Sequence, residues 1–207
     1  MCEVSSKVHC PHCFSDKVVK NGKKPTGAQN LGYQVLGAMV EQVSGQDYDD
    51  YVRQHVYAPA GMPNTDAYAM DKPVKNLAIG YTNHNPFATP GDGPDTGFSH
   101  NNLFQHSVKG TPAGGGYSTA EDLLHFIGAL LENCLLDPAH TTLLLNRFEE
   151  KDGRPDMWWF GGGGESINAM VRLDLTTMET VVVLSNYDSP TARDLVPEIV
   201  EMLRSGS

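Results

Sequence analysis

The sequence predicts an α+β domain with an antiparallel sheet near its C-terminus, packed by helices. Three observations carry that expectation. Apolar residues recur at helical spacing in separate stretches early, midway and at the end of the chain. Two short β-rich runs, Ile167–Leu173 and Thr180–Ser185, flank the polar stretch Asp174–Glu179, which reads as a hairpin. Helices, a long irregular stretch, a helix, strands and a closing helix follow in an order that suits α+β rather than a parallel sheet.

Taken in order, the first helix begins at Asn30. Tyr33, Leu36, Val40 and Val43 recur at i, i+3, i+7 and i+10, which is one face of a helix, and Ser44-Gly45 stops it. A second helix covers Tyr48–Tyr57, ended by Pro59 and Gly61. Residues 62–117 are rich in Gly, Pro, Asn and Thr with no sustained period, a length of irregular chain that usually lines or skirts a site. Ser118-Thr119-Ala120-Glu121 fits a capping box, Ser118 bonding an early N–H and Glu121 reaching back. Leu123, Leu124, Phe126, Ile127, Leu130 and Leu131 then make an amphipathic helix. After the hairpin, Ser189-Pro190 opens a final helix through Leu195, Val196, Ile199, Val200, Met202 and Leu203, with Pro197 inside it unless it starts later.

Of the 207 residues, 40% are hydrophobic and 19% charged, a globular rather than a disordered balance. No run of 18 apolar residues exists, so a spanning helix is excluded. The net charge of −10 argues against a whole-chain nucleic-acid binder. That charge is unevenly spread: residues 1–30 carry five lysines and two acids, a net +3, which leaves −13 on the rest. Met1–Lys24 lacks the apolar stretch of a secretory signal, so a cytoplasmic, thiol-reducing location is expected. Cys10 and Cys13 form a C-x-x-C pair that can supply two corners of a tetrahedral zinc site. No second pair follows, so no cofactor is expected, zinc at this segment excepted.

Cys10-Pro11-His12-Cys13 through Gly27-Ala28-Gln29 resembles the zinc-ribbon start of insertion-sequence transposases, which implies DNA-binding ancestry for residues 1–29 as an appendage. Further on, Asn30-Leu31-Gly32-Tyr33-Gln34-Val35-Leu36-Gly37, Glu41-Gln42-Val43-Ser44-Gly45-Gln46 and Pro59-Ala60-Gly61-Met62-Pro63-Asn64-Thr65 occur in sequence. Gly114-Gly115-Gly116-Tyr117-Ser118-Thr119-Ala120-Glu121-Asp122-Leu123 and Val181-Val182-Val183-Leu184-Ser185-Asn186 follow. Together these blocks resemble serine β-lactamases of class C type and the related penicillin-binding proteins and esterases, over about residues 30–203. The resemblance implies a β-lactamase/penicillin-binding-like fold for residues 30–207, truncated so as to lack upstream strands and the nucleophile helix, and hence a chimera.

In that family a Ser in S-x-x-K attacks an amide or ester carbonyl, and the Lys one turn later helps take its proton. A Y-x-N motif supplies a Tyr acid/base and an Asn, and a K-T-G or H-x-G strand flanks the oxyanion site. S-x-x-K is absent here. Y-x-N aligns with Ala28-Gln29-Asn30, which keeps only the Asn. The third motif aligns best with Phe160-Gly161-Gly162, within Trp158-Trp159-Phe160-Gly161-Gly162-Gly163-Gly164. The resemblance thus leaves Asn30, Phe160, Gly161 and Gly162 as remnants, with Asn30, Gly162 and Gly163 as substrate-contact positions. Residues that act as a unit are not replaced by the one that remains, so acyl transfer by the family route is not expected.

Other readings of single residues are weaker. Gly116-Tyr117-Ser118-Thr119-Ala120 partly matches a G-x-S-x-G elbow but has no preceding strand. Gly161–Gly164 lack the context of a phosphate loop and read as a glycine-rich turn into a strand. His84, His100, His106 and His125 lack ligand spacing. Trp158 and Trp159 are core by default, or wall the old cleft. The expected function is a catalytically inactive family remnant, with two alternatives: a residual serine esterase or β-lactam hydrolase, and zinc or nucleic-acid binding through the N-terminal segment. The expected partner is a second copy joined through an open sheet edge.

Overall fold

The computed structural model of the chain describes residues 26–83, 100–101, 108–146 and 157–205; side chains of residues 26–30, 100 and 146 lie outside that description. The first helix, α1 (Thr26–Ser44), starts four residues before the expected Asn30 and ends as expected, with Gly45 in the left-handed region at φ +70°. α2 (Tyr48–Val52) is capped by Asp47, whose carboxylate accepts the N–H groups of Asp49 and Asp50. It runs through a π-helical turn (Arg53–Tyr57) into α3 (Ala58–Ala60). Pro59 sits inside this last turn rather than ending it, because the wider turn before it relieves the clash of a proline ring with the carbonyl four residues back. Gly61 at φ +70° closes the helix.

Within the described part of the irregular stretch, the two-residue strands β1 (Tyr81–Thr82) and β2 (His100–Asn101) pair antiparallel. α4 (Ala120–Leu131) follows, and its cap differs from the expected one. Thr119, not Ser118, is the N-cap, and its hydroxyl accepts the Asp122 N–H at 3.1 Å. Ser118 instead shares a 2.8 Å hydrogen bond with the Thr65 hydroxyl. α5 (Pro138–Asn146) has no periodic signature and was not visible in the pattern.

The main sheet has the order β3 (Met157–Gly164), β4 (Ile167–Asp174), β5 (Thr180–Ser185), antiparallel throughout, and α6 (Thr191–Ser205) ends the chain. The β4–β5 hairpin is as expected. The four glycines Gly161–Gly164 are not a turn: they are the second half of β3, and the turn is Glu165–Ser166. α6 starts before Pro197, so that proline is interior and leaves one carbonyl of the helix without its amide partner.

Alternation along the strands sends side chains to opposite faces. One face puts Met170, Val181 and Val183 against Ala192, Val196 and Val200 of α6. The other puts Trp158, Val171 and Leu173 against Ile127 and Leu130 of α4. β4 is therefore covered on both sides, which is why Met170–Asp174 is buried along its length. Of the four apolar residues that mark the periodic face of α1, Tyr33, Leu36 and Val43 are exposed.

Candidate functional site

The site follows from β3, an edge strand of the main sheet among the described residues. Phe160 stands opposite Val171, and its ring meets Trp158 edge-on at 4.9 Å in the apolar cluster over α4. A phenyl ring there holds no proton and no charge. Gly161 stands opposite Met170, and a Cβ on it would come within 2.8 Å of the Ala169 carbonyl, so only glycine fits. Gly163 lies on the same face, where a Cβ would come within 3.3 Å of the Asn168 amide. Gly162 and Gly164 face the other way, and a Cβ on either meets nothing within 4 Å. The strand thus presents a bare, accessible backbone on one face and a tightly backed one on the other.

Two residues that the sequence did not single out hold this strand in place. Asn168, buried in β4, donates its amide to the Gly162 carbonyl at 3.2 Å and accepts the Ala192 N–H at 2.7 Å. One side chain therefore ties β3 to the first turn of α6. Asp188 accepts the Ser166 N–H at 2.6 Å and the Thr82 hydroxyl at 2.8 Å, joining the β3–β4 turn to β1. Ser166 is completely buried and sits at φ +65°, a conformation that costs a non-glycine residue about 1–2 kcal/mol. Asp188-Ser189-Pro190 carries a turn signal that could have pointed to Asp188; nothing in the alternation of β4 marks Asn168.

Of the remaining expected residues, Trp158 and Trp159 share β3 with the glycines. Asn30 belongs to the start of α1, whose described packing is against α2 and Pro112, through Gly37. Its side chain, the N-terminal segment with Cys10 and Cys13, and His84 and His106 lie outside the described residues. His125 is a satisfied surface group: its Nδ1 lies 2.8 Å from the Gly61 carbonyl oxygen. Ser118 is a hydroxyl in the Thr65 network rather than an elbow nucleophile, since no strand leads into it. Trp158 is core, and Trp159 is exposed. Among the described residues no three His, Cys, Asp or Glu side chains converge as metal ligands.

The shifted carboxylates are structural, and the one that adjoins β3, Asp174, stands opposite Met157 at the end of the strand away from the glycines. Asp122 is 1% exposed. Burial pushes its carboxyl up, but bonds from the Thr65 hydroxyl and from the Asn64 N–H and amide outweigh that and hold it below 3.8. Asp66 behaves alike: burial opposes, and the Arg53 guanidinium with the Ala67 N–H prevails. At the β4–β5 turn the Thr177 N–H, with Thr176, Arg172 and Arg204, depresses Asp174 against the opposing effect of burial. None of these provides a proton acceptor poised near neutral pH beside β3.

The sequence model of the beta-lactamase family matches residues 27–201. The chain belongs to the beta-lactamase family. Penicillin-binding protein 4* of Bacillus subtilis is 22% identical over 184 residues, 78% of this chain and 40% of that protein. Protein flp of Staphylococcus aureus is 25% identical over 191 residues, 85% of this chain and 35% of that protein. Among solved structures, the penicillin binding protein from Bacillus halodurans superposes with TM-score 0.73 and 27% identity, covering 84% of this chain and 55% of its own. A D-stereospecific amidohydrolase from a Streptomyces species shares the fold at TM-score 0.60 and 16% identity, covering 77% of this chain and 49% of its own. The chain thus spans less than half the length of these two curated relatives. Among the described residues no helix is long and apolar enough to cross a membrane.

Proposed function

We propose that this 207-residue chain is a catalytically silent beta-lactamase-family unit: it keeps the glycine strand and its supports and performs no acyl transfer by itself. The observation that carries the reading is Phe160. Where the family's K-T-G or H-x-G motif opens with a cation or an imidazole, the aligned position on β3 carries a phenyl ring packed on Trp158. The lack of S-x-x-K and the alanine at residue 28 support the same reading. An acyl-enzyme needs an activated nucleophile. The exposed face of Gly162 and Gly164 can still receive a ligand backbone, but no partner group on β3 would then do chemistry. Incubation with a fluorescent penicillin and with a fluorophosphonate tests this: no covalent adduct is expected, and a labelled serine overturns it in favour of the residual esterase or β-lactam hydrolase.

Residues 1–29 are, in this reading, an appendage of separate, transposase-like origin. The family match beginning at residue 27 and the change of charge sign support that division. Metal analysis of the purified protein and a salt-dependent DNA titration test it for zinc and nucleic acid. The outer edge of β5 is the surface through which strand-to-strand self-association would occur.

A further inference from the structure

α1 carries an apolar face that the domain does not cover. At 100° per residue, Leu31, Val35, Met39, Val43 and Leu36 fall on one arc of the helix, and the stripe from Leu31 to Val43 is about 18 Å long. They are 65%, 53%, 57%, 87% and 55% exposed. Gly37, on the opposite side, is the residue that seats α1 on the domain, against Pro112 and Tyr48. α1 therefore docks by its narrow glycine side and leaves its wide apolar side outward. Gly32 lies within the apolar arc with open space above it, so another helix can come close there.

We propose that this face pairs with the same face of a second copy, as a two-fold antiparallel contact between α1 helices. Three observations favour a second copy. First, each of the five side chains offers roughly 100 Å² of surface, which makes about 500 Å² per copy and about 1,000 Å² in all, the least that a specific interface needs. Second, a two-fold contact places one patch on itself, so the patch must not repel itself. The only charged residue of α1 is Glu41, which lies off the arc and whose carboxylate accepts the Tyr48 N–H. Third, the face is continuous and unbroken by charge, unlike the acidic remainder of the chain, so a like-charged copy meets it along a neutral stretch of helix surface. The contact is separate from the β5 edge and independent of whether the domain catalyses anything.

Sedimentation equilibrium of the full chain tests the proposal, with Met39→Glu placed at the middle of the arc and Leu184→Lys placed on β5. The expected result is a dimer at roughly 20 μM for the wild-type chain and for Leu184→Lys, with association weakened at least about 30-fold in Met39→Glu. Met39 is exposed in the monomer, so Met39→Glu should keep the wild-type circular dichroism and thermal transition. Raising NaCl from about 50 to about 500 mM should tighten the dimer, because it screens repulsion between two copies of net charge −10. A wild-type monomer at roughly 100 μM overturns the proposal. So does a Met39→Glu dimer as tight as wild type, a dimer lost only in Leu184→Lys, or a dimer that salt dissociates.

Discussion

Asp122 is the buried tether between α4 and the loop after α3, and its removal gives the sharpest test of how this fold is held. Its carboxylate accepts the Asn64 N–H at 2.8 Å, the Thr65 hydroxyl at 2.7 Å and the Asn64 amide at 3.3 Å. Hydrogen bonds to a charged acceptor contribute about 1.5–3 kcal/mol each, and donors left without one cost further unless water reaches them. Asn64 is exposed and can rehydrate; Thr65 is half-buried and rehydrates less well. Asp122→Ala should therefore destabilise by about 3 kcal/mol, well short of three full bonds, and Asp122→Asn by about 1–2 kcal/mol because its carbonyl oxygen still accepts. Urea unfolding reads both as a lower midpoint at unchanged slope. The same side chain sets a pH signature. Its folded pKa lies below the ordinary aspartate value of 3.8, so its stabilisation is fully present above that value and is lost as pH falls through the folded pKa. The gap between wild type and Asp122→Asn should be full at pH 7 and shrink below about pH 4. A loss under about 1 kcal/mol in Asp122→Ala, or a gap that grows on acidification, would refute the assignment.

Three further outcomes concern the glycine strand. Ser166→Gly should stabilise by about 1 kcal/mol in thermal or urea unfolding, because φ +65° then carries no penalty; destabilisation would contradict the strain assigned to it. Gly161→Ala should cost about 2 kcal/mol or more, since its methyl meets the Ala169 carbonyl, whereas Gly162→Ala should stay within about 0.5 kcal/mol; equal effects would contradict the strand's two-faced geometry. Asn168→Ala should cost about 2–3 kcal/mol and speed amide exchange at Ala192, and unchanged protection there would remove Asn168 as the link to α6.

Local signals explain what was legible in the sequence. The β4–β5 hairpin, the stop at Gly45 and the apolar face of α4 each follow from residues adjacent in the chain, and each stands in the structure. The misreadings arise where a distant contact decides. Ser118 and Thr119 are equally good caps by sequence; Thr65, 53 residues away, engages Ser118 and leaves the cap to Thr119. Periodicity located the apolar residues of α1 but could not say what would cover them, and the domain seats that helix through Gly37 instead. The run Gly161–Gly164 has no side chains to alternate, so its strand character comes wholly from the β4 partner. At the candidate site, family resemblance singles out positions 160–163 as an expectation, while the supports Asn168 and Asp188 emerge only once β3, β4, β1 and α6 converge.

The central claim is that the strand at Phe160 retains the family's shape without its chemistry. Intact-mass measurement of the purified chain after prolonged exposure to a penicillin, with a fluorophosphonate in parallel, tests it most directly. The unmodified mass in both samples is the predicted result. A single stoichiometric adduct, mapped to one serine and formed faster in the folded than in the unfolded chain, would contradict it.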